Sequence, residues 1–578
     1  MRFDSVKVCF VPLAMLAVGC RMPMEEVTVR TDDLIKDRQA SLAGGVGDRV
    51  DLQPDRYVVG NPLPRETGNL QNPPTVDPAA EDLDFQAVQE PDAEAEAVLD
   101  RIRADEERDA EADPLPLDGA LRWASTNSIE YTGAEESYLL AALGVVTAEH
   151  LFAPQFFNDT SVEAGQGLDP RYESAFRAIN DFGVRQNLPF GGEVTARFIA
   201  ELTEEIDDAS LGDGIHSATF VLDGRIPLLK GSGLAARESL IQSRRDLVYA
   251  SRSFETFRRD FLVSIITDYL DLVLRLNAIE NAKRSVDLNR QVEEREGALV
   301  AAGREDPFQA DLARQATLFA LDDLARQQDR FRLALDRFKV RIGMNPEQRI
   351  TIVPIELQLP IPETTQDDSV RRAFDFRLDL QTARDRLEDL RRQIDLAENG
   401  MLPDLDLIAR VRTNDPQLTD GVNFDFSEAL YAGGINLSLP LDRINEAVAV
   451  RAAQVRYAQG ERVYQQTLDN AAVDVRQTLR DIDQAQFSLL LQERNVEIAQ
   501  NRIASIDAAP DRANARDRTD AVSGLRDAED ARDEAKRNLQ VAILNHLNEV
   551  GMLRVTPEGR LQPLPNMPVG EITRLESR

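Results

Sequence analysis

The spacing of hydrophobic positions changes along the chain, and each change marks an element. Val194, Ala196, Phe198, Ala200 and Leu202 interleave with Glu193, Thr195, Arg197 and Glu201. After an acidic loop, Ala218, Phe220 and Leu222 interleave with Thr219 and Asp223. This alternation predicts a β-hairpin with strands over about 192–202 and 217–226. Past Pro227 the period lengthens: Leu247, Ala250, Phe254, Phe257, Phe261, Ile265, Tyr269, Leu272 and Leu276 recur at steps of three and four. That pattern predicts an amphipathic helix over about 233–302, some 105 Å long at 1.5 Å per residue, too long for one compact domain. Gly303-Arg304-Glu305-Asp306-Pro307 supplies a glycine to cap it and a proline to start the next helix. The returning stripe, Ala316, Phe319, Leu324, Phe331, Leu335, Phe338 and Ile342, predicts a coiled-coil partner over about 307–343.

The plan then recurs. A Pro-rich connector, 352–366, separates a first repeat, 116–351, from a second, 367–556. In the second, Val370 to Asn399 reads as helix, and Leu405, Leu407, Ala409 and Val411 alternate with Asp404, Asp406, Arg410 and Arg412. Strands are expected over about 404–413 and 434–439, then helices over about 442–506 and 513–550, with a tail at 557–578. Landmarks repeat in step: Pro227 with Pro440, and Gly343-Met344 with Gly551-Met552. Ahead of the first hairpin, Leu117 to Ala124 and Leu139 to Val146 suggest two helices ending before Pro154, and 170–182 a small helix. The fold class expected is therefore α+β, mainly α, with an internal repeat of helix, β-hairpin and long helical hairpin. Four strands cannot close a barrel in lipid, because their edges stay unpaired. Three chains supply twelve, a closed transmembrane β-barrel continued by an α-helical barrel.

Composition narrows the function. The chain has 578 residues and a formal net charge of −34, which disfavours nucleic acid and anionic membrane surfaces. Much of that excess sits in Glu81 to Asp113, within a Pro-rich, acidic stretch, 20–115, that reads as a flexible leader. Beyond the N-terminus no apolar run is long enough for a transmembrane helix, which leaves a membrane-spanning strand open. Residues 1–19 read as an export signal: Arg2 and Lys7 precede a mostly apolar Val8 to Val18. Ala17-Val18-Gly19-Cys20 is similar to a bacterial lipoprotein signal, which implies lipidation of Cys20, with an ordinary cleaved signal as the alternative. His150, His216 and His546 have no metal-ligand spacing, and no phosphate loop, nucleophile elbow or CxxC occurs. No catalysis and no cofactor are assigned.

The order of elements, the hairpin exits Ile226-Pro227-Leu228-Leu229-Lys230-Gly231 and Leu439-Pro440-Leu441-Asp442-Arg443, and the tip from Gly303 to Ala310 resemble the TolC-like outer-membrane efflux proteins. The resemblance spans roughly 117 to 556. It implies a homotrimeric, passive exit duct of a tripartite efflux or secretion system. Such a duct spans outer-membrane lipid, projects into the periplasm, and docks onto a periplasmic adaptor and an inner-membrane transporter. It also points to the two hairpin tips as gate or adaptor contacts: Gly303, Arg304 and Asp306 at the first, Asp507, Asp511, Arg512, Arg516 and Asp517 at the second. Arginines and carboxylates there would latch the tips across subunits, although carboxylates also suit helix N-termini. Ala508-Ala509-Pro510-Asp511 replaces the glycine turn that the family shows at the second tip. The alternative from another class is a periplasmic coiled-coil adaptor or structural lipoprotein, which normally carries one hairpin between all-β modules.

Overall fold

The computed structural model describes residues 24–42, 112–207, 210–355, 357, 359–362, 364–415, 424–508, 513–555 and 561–563. Its architecture is helix-rich α+β. Two compact units share the chain.

The first unit comprises an N-terminal helix with Ser137–Ser253 and Asp379–Thr467. Its centre is one sheet of six strands: β2 (Gln155–Gln166), β3 (Ser174–Asn187), β4 (Glu193–Asp207), β5 (Ser210–Pro227), β7 (Asp404–Asp415) and β8 (Leu430–Ser438). They lie in that order and every neighbouring pair is antiparallel. Two of these strands were not expected. Residues 170–182, read as a small helix, belong instead to the β2–β3 hairpin, so among the described residues this sheet has six strands where four were counted, and three chains no longer sum to twelve. The alternation is interrupted in the middle of β3, where Asn180 falls on the apolar side and Ile179 on the polar side. Pairing with β4 decides the conformation: Phe182 sits opposite Phe198 and Val184 opposite Ala196, cross-strand contacts that sequence periodicity alone does not register. Gly183 opens the space that this requires. A Cβ there would stand 2.5 Å from the Phe157 ring and 2.8 Å from the Ala196 carbonyl.

The leader also needs correction. Residues 24–42 form helix α1, with Thr31 and Ile35 each only 1% exposed. Those buried positions are one turn apart but only one is apolar, so the amphipathic signal is faint. At the leader's other end, in the second unit, β1 (Asp113–Leu115) pairs in parallel with β6 (Ile350–Ile352). Most of the leader between α1 and β1, together with Cys20, lies outside the described residues.

Helix α7 (Leu378–Gly400) packs on the start of α4 (Leu234–Ala301) through charge as much as through apolar contact. Asp389, buried, receives Arg245, Arg392 and the Tyr249 hydroxyl, and Arg392 also holds Glu238 at 2.8 Å. Burial, reinforced by Asp389, pushes the Tyr249 phenol up to about 12. A single helix was expected over 370–399, but α6 (Gln366–Phe376) ends at Arg377, which is extended, and α7 begins after it.

The second unit holds α2 (Leu117–Asn127), the larger part of α4, α5 (Pro307–Arg341), α6, the distal part of α8 (Ile444–Ala508), α9 (Ala515–Glu549) and the short β9 (Leu553–Val555), which pairs with β10 (Leu561–Pro563). Tyr131, in the first turns of α3 (Ile129–His150), packs its ring against Phe254, Phe257 and Phe261 of α4. The Tyr269 hydroxyl lies 3.0 Å from the Leu115 carbonyl and 2.7 Å from that of Val353, tying α4 to the chain around β1 and β6. Beyond this, Ile279, Ala282 and Val286 of α4 meet Ala320, Leu321 and Leu324 of α5, while Ile482 of α8 meets Leu539 and Ile543 of α9. Small and aliphatic residues on matching faces give these pairs a narrow seam.

The two returning helices end alike. Gly343 and Gly551 adopt φ of 76° and 73°, and each closes a Schellman turn, Met344 N–H to Lys339 O and Met552 N–H to Leu547 O. Each glycine abuts the end of a short helix: a Cβ on Gly343 would lie 2.0 Å from the Asn127 carbonyl oxygen, and one on Gly551 would lie 3.0 Å from that of Phe376.

His546 of α9 is 1% exposed and its Nδ1 meets the Thr478 hydroxyl at 2.9 Å. Burial lowers its pKa to about 4. The imidazole is thus neutral in the fold and protonates more readily when unfolded, so its contribution is complete above about pH 6.5 and is lost as pH falls towards 4, up to about 3 kcal/mol. Half-buried Asp268 and Asp530 have pKa values raised by desolvation and act in the opposite sense, favouring the fold at lower pH. Thermal unfolding of the wild type and His546→Asn, compared between pH 7 and 4, isolates the histidine: the wild type is expected to lose more stability than the variant across that window.

Candidate functional site

The side chains of the six-stranded sheet divide for the most part into an apolar and a charged face, with exchanges such as Asn180 and Ile179. Because strand residues alternate, the register places Phe182, Val184, Ala196, Phe198, Ala200, Leu202, Phe220, Leu222, Leu407, Ala409, Val411, Ile435 and Leu437 on one side. Phe156, Val162 and Tyr431 fall on the same side, and they, with Phe182, Ile435 and Leu437, are exposed despite being large and apolar. Phe424 and Phe426 fold over this side, edge-on to Phe198 and Phe220. An apolar surface running across six strands is far more than scattered exposed hydrophobics, and it marks a face made for an apolar medium or partner.

The other side is charged. Arg177 pairs with Glu201 at 2.8 Å, Arg185 with Glu193 at 3.2 Å, Arg197 with Asp181, Arg225 with Asp406 and Asp404, and Arg410 with Asp223. The first three join residues one step off direct opposition, the diagonal reach of a long side chain across a ladder. Arg185 also lies over the Phe157 ring, 5.6 Å from its centroid. Asp181, Arg197, Asp223, Arg225, Asp406 and Arg410 are among the residues that line a cavity of about 1000 Å³. Asp406 is the most enclosed carboxylate, its side chain 1% exposed beneath Arg225. Carboxylates somewhat outnumber guanidiniums on this side, so it offers a wet, ion-paired wall with a slight negative balance.

At the helical tips of the second unit, Gly303 has a φ of 67° and completes a Schellman turn, with Arg304 N–H bonded to Leu299 O and Gly303 N–H to Val300 O, both at 2.9 Å. Asp306 is the N-cap of α5 but makes no side-chain capping bond, and Pro307 fills the first helical position. Asp517 is differently placed. It forms a capping box with Asn514 at the start of α9, each side chain accepting from the other's backbone N–H, which commits it to the helix terminus. Asp511 and Arg512 lie outside the described residues. Arg516 pairs loosely with Asp520.

The most enclosed charge pair near the tips was not anticipated. Arg518 (5% exposed) and Glu296 (3%) face each other at 3.7 Å between α9 and α4, and Arg518 also reaches Asp507 of α8 at 3.7 Å. Burial raises the Glu296 pKa, opposed by Arg518. In helices this rich in Arg, Asp and Glu, nothing in the local sequence separates a buried pair from solvated ones. Further along, Arg284 with Glu529, Arg526 with Asp323, and Arg537 with Asp271 repeat the theme between α9 and its neighbours. Among the described residues no group of histidine, cysteine or carboxylates could hold a metal ion, and no helix is long and apolar enough to cross a membrane.

A sheet with one apolar and one charged face suits a boundary between an apolar medium and water. Residues 370–545 match the family described as outer membrane efflux protein. The resemblance read from the hairpin exits and the first tip thus holds. Solved outer-membrane proteins and channels share the fold across 75% or more of this chain. VceC of Vibrio cholerae aligns with a TM-score of 0.58 at 16% identity, over 75% of this chain and 96% of its own. CmeC of Campylobacter jejuni, an outer membrane channel, gives 0.54 at 15%, over 75% and 85%. MtrE of Neisseria gonorrhoeae, an outer membrane channel solved in its open state, gives 0.53 at 15%, over 76% and 89%. No curated protein matches the sequence.

Replacing Arg225 and Arg410 together with Gln leaves Asp406 and Asp223 without their counter-charges. In planar bilayers the double variant is expected to raise the cation-to-anion permeability ratio, read as a shift in reversal potential under a salt gradient; an unchanged potential would show that this face does not meet the permeating ions.

Proposed function

We propose that the protein is the outer-membrane exit duct of a tripartite efflux or secretion system, acting as a homotrimer without catalysis of its own. The observation that carries this reading is the division of the six-stranded sheet into an apolar face and a charged face. In water such an apolar face would drive aggregation, and in a bilayer it is the required lipid surface. The paired helices then form the wall of a tunnel in the periplasm, and their ion-paired flanks suit a surface wetted by a polar lumen or by neighbouring subunits. The order of elements from α2 to Gly343, followed by that from α6 to Gly551, is the trace of an internal duplication.

The tips are the place of contact with a periplasmic adaptor and, through it, an inner-membrane transporter. Gly303 makes the first tip tight, and Arg304 and Asp306 stand beside it, the Asp306 side chain making no capping bond. Asp511 and Arg512 are their counterparts at the second tip, whereas Asp517 holds the start of its helix. Cys20 is the proposed lipid anchor. A periplasmic adaptor is disfavoured because a soluble adaptor has no use for a broad two-faced sheet with exposed Phe and Ile on one side.

Detergent-solubilised protein is expected to have the mass of a trimer plus its micelle, to show a mixed α/β circular dichroism spectrum, and to produce discrete conductance steps in planar bilayers. A monomer that stays soluble without detergent and conducts nothing would overturn the reading.

A further inference from the structure

We infer that the membrane wall of this duct is an eighteen-stranded barrel, closed by β8 of each chain against β2 of the next copy, with the β2–β3 hairpin forming a full third of it. The inference rests on the trimeric duct proposed above and specifies its interface.

The sheet ends at two strands with an open edge. Among the described residues nothing pairs with the outer side of β2 or of β8, and all nine residues of β8 are exposed. Each unpaired backbone group on such an edge costs several kcal/mol in hydrocarbon, so an edge of that length cannot be left bare in a bilayer. Closing the sheet on itself would leave six strands, fewer than the eight of the smallest membrane barrels. The partner is therefore a second copy of this chain. Strand parity fits that partner: with six strands all antiparallel in sequence, β8 runs opposite to β2, and the next copy continues the ladder without a parallel joint. The faces also match across the joint, since Tyr431, Ile435 and Leu437 of β8 lie on the same side of the sheet as Phe156, Thr160 and Val162 of β2.

The added hairpin is wall and not an outlying flap. It is joined to β4 by an unbroken ladder from Ala175 opposite Glu205 to Asn187 opposite Glu193. Three ion pairs cross that same boundary on the charged side, Arg177 with Glu201, Arg197 with Asp181, and Arg185 with Glu193. With strands about 4.8 Å apart and tilted about 40°, eighteen strands give a backbone radius of about 18 Å against about 12 Å for twelve, roughly doubling the enclosed area. The hairpin thus widens the outer mouth and adds Asp159, Arg177, Asp181 and Arg185 to its lining.

Disulfide scanning of the full-length protein in its native membrane tests this. Cysteines at Tyr431, Gly433 or Ile435 are combined pairwise with cysteines at Asn158, Thr160 or Val162, all on one face of the sheet, against a parent retaining only Cys9 and Cys20. One diagonal set of these pairs is expected to give covalent ladders of up to three chains on oxidation, while the β8 cysteines combined with Ala196→Cys or Ala200→Cys of β4 give none. Efficient β8 to β4 linkage would overturn the proposal in favour of a twelve-stranded wall with the hairpin outside it. So would a trimeric mass in detergent without any β8 to β2 linkage. A monomeric mass would instead refute the underlying duct.

Discussion

Backbone groups in hydrocarbon have no water to turn to, and in the proposed duct this constraint orders everything above the helices. It demands that each strand edge find a partner, which makes an open six-stranded sheet a fragment of something larger. It also demands that side chains alternate without error, because a slip of one residue would turn the charged set of β4, Thr195, Arg197 and Glu201, towards lipid. Diagonal ion pairs such as Arg197 with Asp181 and Arg177 with Glu201 lock the register from the wet side, while Phe182 opposite Phe198 and Val184 opposite Ala196 lock it from the dry side. The sheet is thus held by two independent sets of contacts that agree.

The helices answer to a different constraint. They are too long to share one core, so apolar contact is rationed into local seams such as Ile279 and Val286 with Leu321 and Leu324. Between seams, orientation falls to charge, and Glu296 with Arg518 shows how far that goes: both are buried, and burial raises the glutamate's pKa even with the guanidinium beside it. A buried pair of this kind is weak evidence for stability, since desolvation consumes much of its attraction, but removing one partner strands the other. That makes the tips sensitive to any change at Arg518 or Glu296.

Much of this was legible in the residues. Strict alternation in Val194 to Leu202 leads to a strand, three-four spacing from Leu247 to Leu276 leads to a helix, and Gly303, Gly343 and Gly551 sit where a positive φ closes a helix. What escaped notice did so for physical reasons. Asn180 and Ile179 exchange the expected faces in β3, and only pairing to β4 restores the pattern. Helix α1 buries a threonine and an isoleucine, too little apolar surface to declare itself. At the tips, Asp517 looked like Asp306, but one has Asn514 three residues before it to complete a capping box and the other does not. Arg518 is one of many arginines, and its burial follows from how α9 meets α4 and α8, which no local pattern encodes.

The central claim is that one face of the sheet meets lipid and the other meets water, and residue-by-residue labelling of β4 in membranes tests it most directly. Single cysteines placed from Thr195 to Leu202 would be exposed to a membrane-impermeant maleimide. The account predicts a period of two, with Thr195, Arg197, Ile199 and Glu201 modified and Ala196, Phe198, Ala200 and Leu202 protected until the membrane is dissolved in detergent. Uniform labelling along the strand in intact membranes would contradict it.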